Sequence, residues 1–124
     1  MPMQKFSKTY PKRGEIFIAD LNPSFGREIH KKRPVLIISS NILNQYSPTV
    51  VILPFSSIVP IATSPDMVKI EEGKLVDKDS VILSYHIRSI DKVRLIKRIG
   101  RLPKIKLEEV EESIKLILSL EENR

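Results

Sequence analysis

Apolar residues in this chain fall into short runs, and the runs predict strands. Glu15-Ile16-Phe17-Ile18-Ala19-Asp20, Val35-Leu36-Ile37-Ile38-Ser39 and Val50-Val51-Ile52-Leu53-Pro54-Phe55 are rich in β-branched residues and bounded by turn formers. Alternation is imperfect in the first, and the third is apolar throughout, as expected of a central strand, with Pro54 marking its end or a bulge. Met67–Ile70, Ser80–Leu83, Ile87–Ile90 and Leu95–Arg101 supply further short strands. Turn signals separate them: Asn22-Pro23-Ser24-Phe25-Gly26, a link at Asn41–Pro48 with room for one helical turn, the proline-bearing Val59–Pro65, a polar link around Gly73 and a helical turn at Asp91–Arg94. The end of the chain changes period. Leu107, Val110, Ile114, Ile117 and Leu118 follow helical spacing, with Glu108, Glu109, Glu111 and Glu112 on the outer face. Pro103 or its successor opens this helix, since proline is tolerated in a first turn. One apolar stripe needs a sheet to cover it. The expected fold is mainly β: a small, strongly bent antiparallel sheet or barrel closed by an amphipathic C-terminal α-helix.

Composition narrows the class. A length of 124 residues suits one domain, and 41% hydrophobic residues suffice for a packed core. That domain is expected over residues 13–120, with the polar, basic residues 1–12 as a flexible arm. Zero cysteines exclude a disulfide framework or thiolate metal site and fit a cytoplasmic protein. No apolar run approaches the roughly 20 residues that cross a bilayer, and the N-terminus has no apolar signal segment. The net charge is +6, unevenly spread: residues 1–103 hold 17 Lys/Arg against 9 Asp/Glu, and residues 104–124 hold 4 against 6. A basic body favours polyanions or an acidic protein partner. Only 6% aromatics and no Trp argue against a single-strand binder built on stacking platforms.

The densest candidate chemistry is Glu28-Ile29-His30-Lys31-Lys32-Arg33-Pro34, directly before the second apolar run. It ends a loop of about ten residues, longer than the usual connection. Pro34 restricts Arg33 to extended backbone, which fixes a cation at the rim of a sheet. Taken alone, the stretch reads as a charged turn.

The order of the elements and the residues on them resemble the MazF/PemK family of toxin endoribonucleases. The resemblance runs from about Lys12 to Leu120. It is carried by five pieces: Arg13-Gly14-Glu15-Ile16-Phe17 together with Asp20-Leu21-Asn22-Pro23 and Gly26, then Arg33-Pro34-Val35-Leu36-Ile37-Ile38, Ser47-Pro48-Thr49, Asp79-Ser80-Val81-Ile82-Leu83 and Ile87-Arg88-Ser89-Ile90-Asp91. Each piece alone is weak, and five in order are specific. The resemblance implies a twisted SH3-like barrel, a homodimer, and a toxin neutralised by an acidic antitoxin. It also implies metal-independent cleavage of single-stranded RNA at a short sequence, by attack of a ribose 2′-OH on the adjacent phosphate. It assigns catalysis to Arg33, to Ser56 in place of the family's usual Thr, and to Glu28. His30, Lys31, Lys32, His86 and Arg88 are candidates for RNA binding.

The chemistry suits these residue types. A guanidinium fork matches phosphoryl oxygens with paired hydrogen bonds, and stays protonated, so Arg33 fits charge stabilisation and not general-base work. Ser56 can donate to a phosphoryl oxygen or orient the 2′-OH. Glu28, His30 and His86 are the available proton acceptors. There are also departures from the family: Ile29-His30-Lys31-Lys32 replaces a glycine-rich loop, and Leu83 and Tyr85 stand where some members carry an acid–base pair. The basic series Arg88, Lys92, Arg94, Lys97, Arg98 and Arg101 would track phosphates if it shared a face. Two other readings stay open, a CcdB-like inhibitor of gyrase and a non-catalytic nucleic-acid-binding barrel, because fold alone does not separate them.

Overall fold

The apolar runs lack clean alternation because both faces of the sheet are buried. In a computed structural model, which describes residues 9–22 and 31–120, neighbouring residues on one strand enter different cores. Ile16, Leu36, Leu53 and Phe55 join Val68, Ile70, Ile82 and Val110 in one. Ala19, Val35, Ile37, Val50 and Ile52 join Leu21 and Ile90 in the other.

All of these except Leu21 and Val110 lie on strands, of which the described residues form seven: β1 (Glu15–Asp20), β2 (Lys32–Ile37), β3 (Thr49–Ser56), β4 (Met67–Ile70), β5 (Ser80–Leu83), β6 (Arg88–Asp91) and β7 (Leu95–Arg101). Helix α1 (Asn41–Tyr46) lies between β2 and β3, and α2 (Lys104–Leu118) ends the described chain. All pairings are antiparallel, in the order β4-β5-β3-β2-β1-β7, with β6 also on β3. Strand β3 is the hub. Its first half pairs with β6 through Thr49–Ile52, and its end turns to β5 through Phe55 and Ser56. The mainly β expectation holds, with one difference: among the described residues no ladder joins β4 to β7, so the bent sheet is not closed by hydrogen bonds.

The Arg13-Gly14-Glu15 motif locks the start of β1. Gly14 sits at φ +92, a left-handed conformation that disfavours any side chain. There its N–H donates to the Ile37 carbonyl, and its own carbonyl accepts from Leu102. Arg13 donates from Nε to the Ile38 carbonyl and pairs with Glu111 of α2 at 2.8 Å. The nearly buried Glu15 carboxylate accepts from the Lys12 N–H and from Arg98.

Helix α2 begins after Pro103, as the sequence suggests, and lays Val110, Leu107 and Ile114 on the first core. Its buried Ser113 donates to Ser84, which opens a 3-10 turn over Ser84–His86 that the sequence pattern did not reveal. No described helix is long and apolar enough to cross a membrane. Of the expected N-terminal arm, residues 1–8 lie outside the described residues.

Candidate active site

Strand β2 starts earlier than its apolar run suggests, at Lys32, and this places Arg33 and Pro34 inside the sheet. The ladder to β1 includes Ala19 opposite Arg33 and Ile18 opposite Pro34. On the other side, the ladder to β3 stops at Val35 opposite Pro54. Proline has no N–H to extend such a ladder. The Phe55 carbonyl is left outside that ladder, and Arg33 Nη1 donates to it at 2.9 Å. The guanidinium is thereby anchored one residue before Ser56. Partial burial pushes its pKa down from the ordinary arginine value, by desolvation of the charged form. It still carries its charge at neutral pH.

Ser56 ends β3 opposite Val81. Its Oγ accepts the Ile58 N–H at 3.1 Å, which orients the hydroxyl and leaves its hydrogen able to donate. Arg33 and Ser56 line one cavity of about 530 Å³, roofed in part by the β4–β5 loop and bounded by β7. Lys32, Lys74, Lys78 and Lys97 line it with Arg33, against the single carboxylate of Asp77. Ile18, Pro34, Phe55, Leu75 and Ile99 give it an apolar lining. Such a cavity can attract a phosphodiester, hold its oxygens on a fixed fork and keep part of the nucleotide out of water.

The candidates from the sequence are placed unequally. Lys32, Arg33 and Ser56 share the cavity. His86 sits half-buried in the 3-10 turn after β5 and Arg88 on β6 opposite Ile52; neither lines the cavity. Lys31 is exposed beside the cavity residues and adopts φ +74, with its N–H donating to Asn22 Oδ1 and its carbonyl accepting from Leu21. A left-handed residue thus directly precedes the strand, a conformation that favours glycine. Glu28 and His30 lie outside the described residues. Of the basic series near the C-terminus, Lys97 reaches the cavity, whereas Arg98 is committed to Glu15, and Arg94 donates to the carbonyls of Asp20 and Asn22. Lys74, Lys78 and Asp77 were not singled out by the sequence; their polar link gave no sign of folding back over the sheet. Among the described residues, no group of three or more His, Asp or Glu is placed to hold a metal ion.

Residues 12–118 match the family model described as PemK-like, MazF-like toxin of type II toxin–antitoxin system. An endoribonuclease MazF from Staphylococcus saprophyticus is 41% identical over 110 residues, covering 88% of this chain and 92% of that one. A crystal structure of MazF from Deinococcus radiodurans superposes with a TM-score of 0.78 at 24% identity, covering 90% of this chain and 98% of the other. A mycobacterial endoribonuclease in complex with its cognate antitoxin gives a TM-score of 0.74 at 20% identity, covering 90% and 98%.

Proposed function

The chain belongs to the PemK-like, MazF-like toxins of type II toxin–antitoxin systems, and on that premise we propose that it is an endoribonuclease acting at the Arg33–Ser56 cavity. One observation supports the site most strongly. The Arg33 guanidinium is held on the carbonyl just before Ser56, in a cavity lined by five cations and one carboxylate.

The reaction is an internal transesterification of single-stranded RNA. The ribose 2′-oxygen bonds to the adjacent phosphorus while the bond from phosphorus to the 5′-oxygen breaks, leaving a 2′,3′-cyclic phosphate and a 5′-hydroxyl. Negative charge gathers on the non-bridging oxygens in the transition state. The planar fork of Arg33 suits those oxygens, and the bond to the Phe55 carbonyl fixes its position before the substrate arrives. Ser56 donates a hydrogen bond to the same phosphoryl group or orients the 2′-OH. Glu28, five residues before Arg33, accepts the 2′-OH proton in this proposal, and the departing 5′-oxygen takes a proton from water. His86 is given no part in the reaction, because it does not line the cavity.

The proposal extends to the cytoplasm as the place of action, to a homodimer, and to an acidic antitoxin partner. The cationic cavity suits an acidic segment as well as RNA. A gyrase-binding reading gives Arg33 and Ser56 no task.

Incubation with a mixed-sequence single-stranded RNA in chelator tests the proposal. The expected result is cleavage at few sites, with cyclic phosphate and 5′-hydroxyl ends, abolished in Arg33→Ala. An inert wild-type chain, or equal cleavage by the variant, would refute it.

A further inference from the structure

The loop between β4 and β5, residues 71–79, spans the gap that the ladder leaves open. Strands β4 and β7 are the two ends of the sheet order, and no hydrogen-bonded pairing joins them among the described residues. Side chains make the connection instead. Leu75 packs on Gly100 of β7 so closely that a Cβ there would lie 2.4 Å from Leu75 Cδ2. The loop also holds itself in shape. The Glu72 N–H donates to the Asp79 carboxylate at 2.8 Å, the Gly73 N–H donates to the Val76 carbonyl at 3.0 Å, and Val76 is buried.

This latch brings Lys74 and Lys78 to the cavity that holds Arg33, where Lys97 of β7 joins them. Solvated lysines on a mixed surface are offset by acids, and over residues 1–103 the ratio is 17 cations to 9 acids. Inside the cavity it is five to one. We infer that the latched loop and Lys97 form a subsite for the nucleotide adjoining the scissile phosphate, with Lys74, Lys78 and Lys97 holding its backbone phosphate. The inference rests on the endoribonuclease reading and adds to it an assignment of residues outside Arg33 and Ser56. Ammonium groups act on phosphate as point charges, without the directional fork that reads a base edge. The apolar contribution of Leu75 and Ile99 receives the base, and Phe55, the aromatic residue of the lining, is only 1% exposed and offers no open face for stacking. The subsite therefore gives affinity and register and little base preference.

The test uses the full chain and a single-stranded RNA containing the mapped cleavage site, in cleavable form and with a 2′-deoxy residue at the scissile position for binding. The variant carries Lys74→Gln, Lys78→Gln and Lys97→Gln together. The control carries Lys69→Gln, Lys104→Gln and Lys106→Gln, the same charge change away from the cavity. For a single strand each phosphate contact contributes about 0.7 to the slope of log affinity against log salt. The subsite variant should flatten that slope by about 0.7, raise KM about 10- to 100-fold and leave kcat within about 3-fold, relative to wild type. The control should do none of this. Gly100→Ala, whose Cβ would displace the Leu75 Cδ2 methyl from its seat on β7 and alters no charge, should also raise KM. Its effect is compared with its thermal melt, so that displacement of the loop is separated from unfolding. A subsite variant that matches the wild-type slope and KM, or behaves like the control, overturns the inference while cleavage by the wild type leaves the endoribonuclease reading standing. Absence of wild-type cleavage and binding overturns the reading itself, and the subsite with it.

Discussion

Replacing Arg33 by Lys separates the guanidinium's geometry from its charge. Lysine keeps one positive charge at the mouth of β2 but loses the planar fork and the Nη1 bond to the Phe55 carbonyl. Two consequences follow, of different size. For stability, the lost bond is to a carbonyl at the edge of an open cavity, where water can replace the donor, so the cost is about 1 kcal/mol. For catalysis, hydrogen bonds involving a charged group are worth about 1.5–3 kcal/mol each. An ammonium that replaces one of two such bonds, from a flexible stem no longer anchored, leaves a deficit of about 3 kcal/mol in the transition state. That is a factor of roughly 100 to 200 in rate. Single-turnover cleavage of a labelled RNA by excess enzyme measures the chemical step, and a thermal melt on the same sample checks the fold. Arg33→Lys should melt within about 5 °C of wild type and cleave at least about 100-fold more slowly. A Lys variant within about 5-fold of wild type would show that charge alone suffices, and would refute the anchored-fork argument.

Other substitutions test separate parts of the structure. Ser56→Ala removes the oriented hydroxyl and should slow the same single-turnover step about 10- to 100-fold, a loss of some 1.4–2.7 kcal/mol, with Ser56→Thr restoring activity. Gly14→Ala should destabilise the fold by about 1–3 kcal/mol in denaturant titration, because φ +92 is strained for alanine while the nearest neighbour of the new Cβ, at 3.5 Å, is not crowded. Lys31→Gly should do the reverse. Relief of φ +74 exceeds glycine's added unfolded-state entropy, so the same titration should show a gain of about 0.5–1 kcal/mol.

The sequence was most informative where local rules act alone. Strands β4, β5 and β7 have the bounds that their apolar runs suggest, and α2 begins where Pro103 permits. The pattern was weakest where tertiary pairing decides. Strand β2 extends back through Lys32-Arg33-Pro34 because β1 pairs with all three, although a charged stretch ending in proline reads as a turn. That extension anchors Arg33 beside Ser56, and no local propensity encodes it. Ser84, which opens the 3-10 turn over Ser84–His86, is buried against Ser113, 29 residues away, and His86 at the end of that turn does not line the cavity. Lys74 and Lys78 looked like ordinary loop lysines. Their place at the site depends on Leu75 finding the bare surface of Gly100, a contact between the ends of the sheet. Arg13-Gly14-Glu15, prominent in the resemblance, proves to be a lock between β1, β2 and α2 and makes no contribution to the cavity lining.

In the proposed reaction the RNA's own 2′-OH is the nucleophile, and Arg33 receives the charge that develops. The most direct measurement places a single 2′-deoxynucleotide at the 5′ side of a mapped cleavage site in an otherwise all-ribose RNA. That oligonucleotide should bind as the unmodified one does and remain intact at the site while the all-ribose strand is cut. Cleavage at the deoxy position, at a rate near that of the all-ribose strand, would contradict the mechanism.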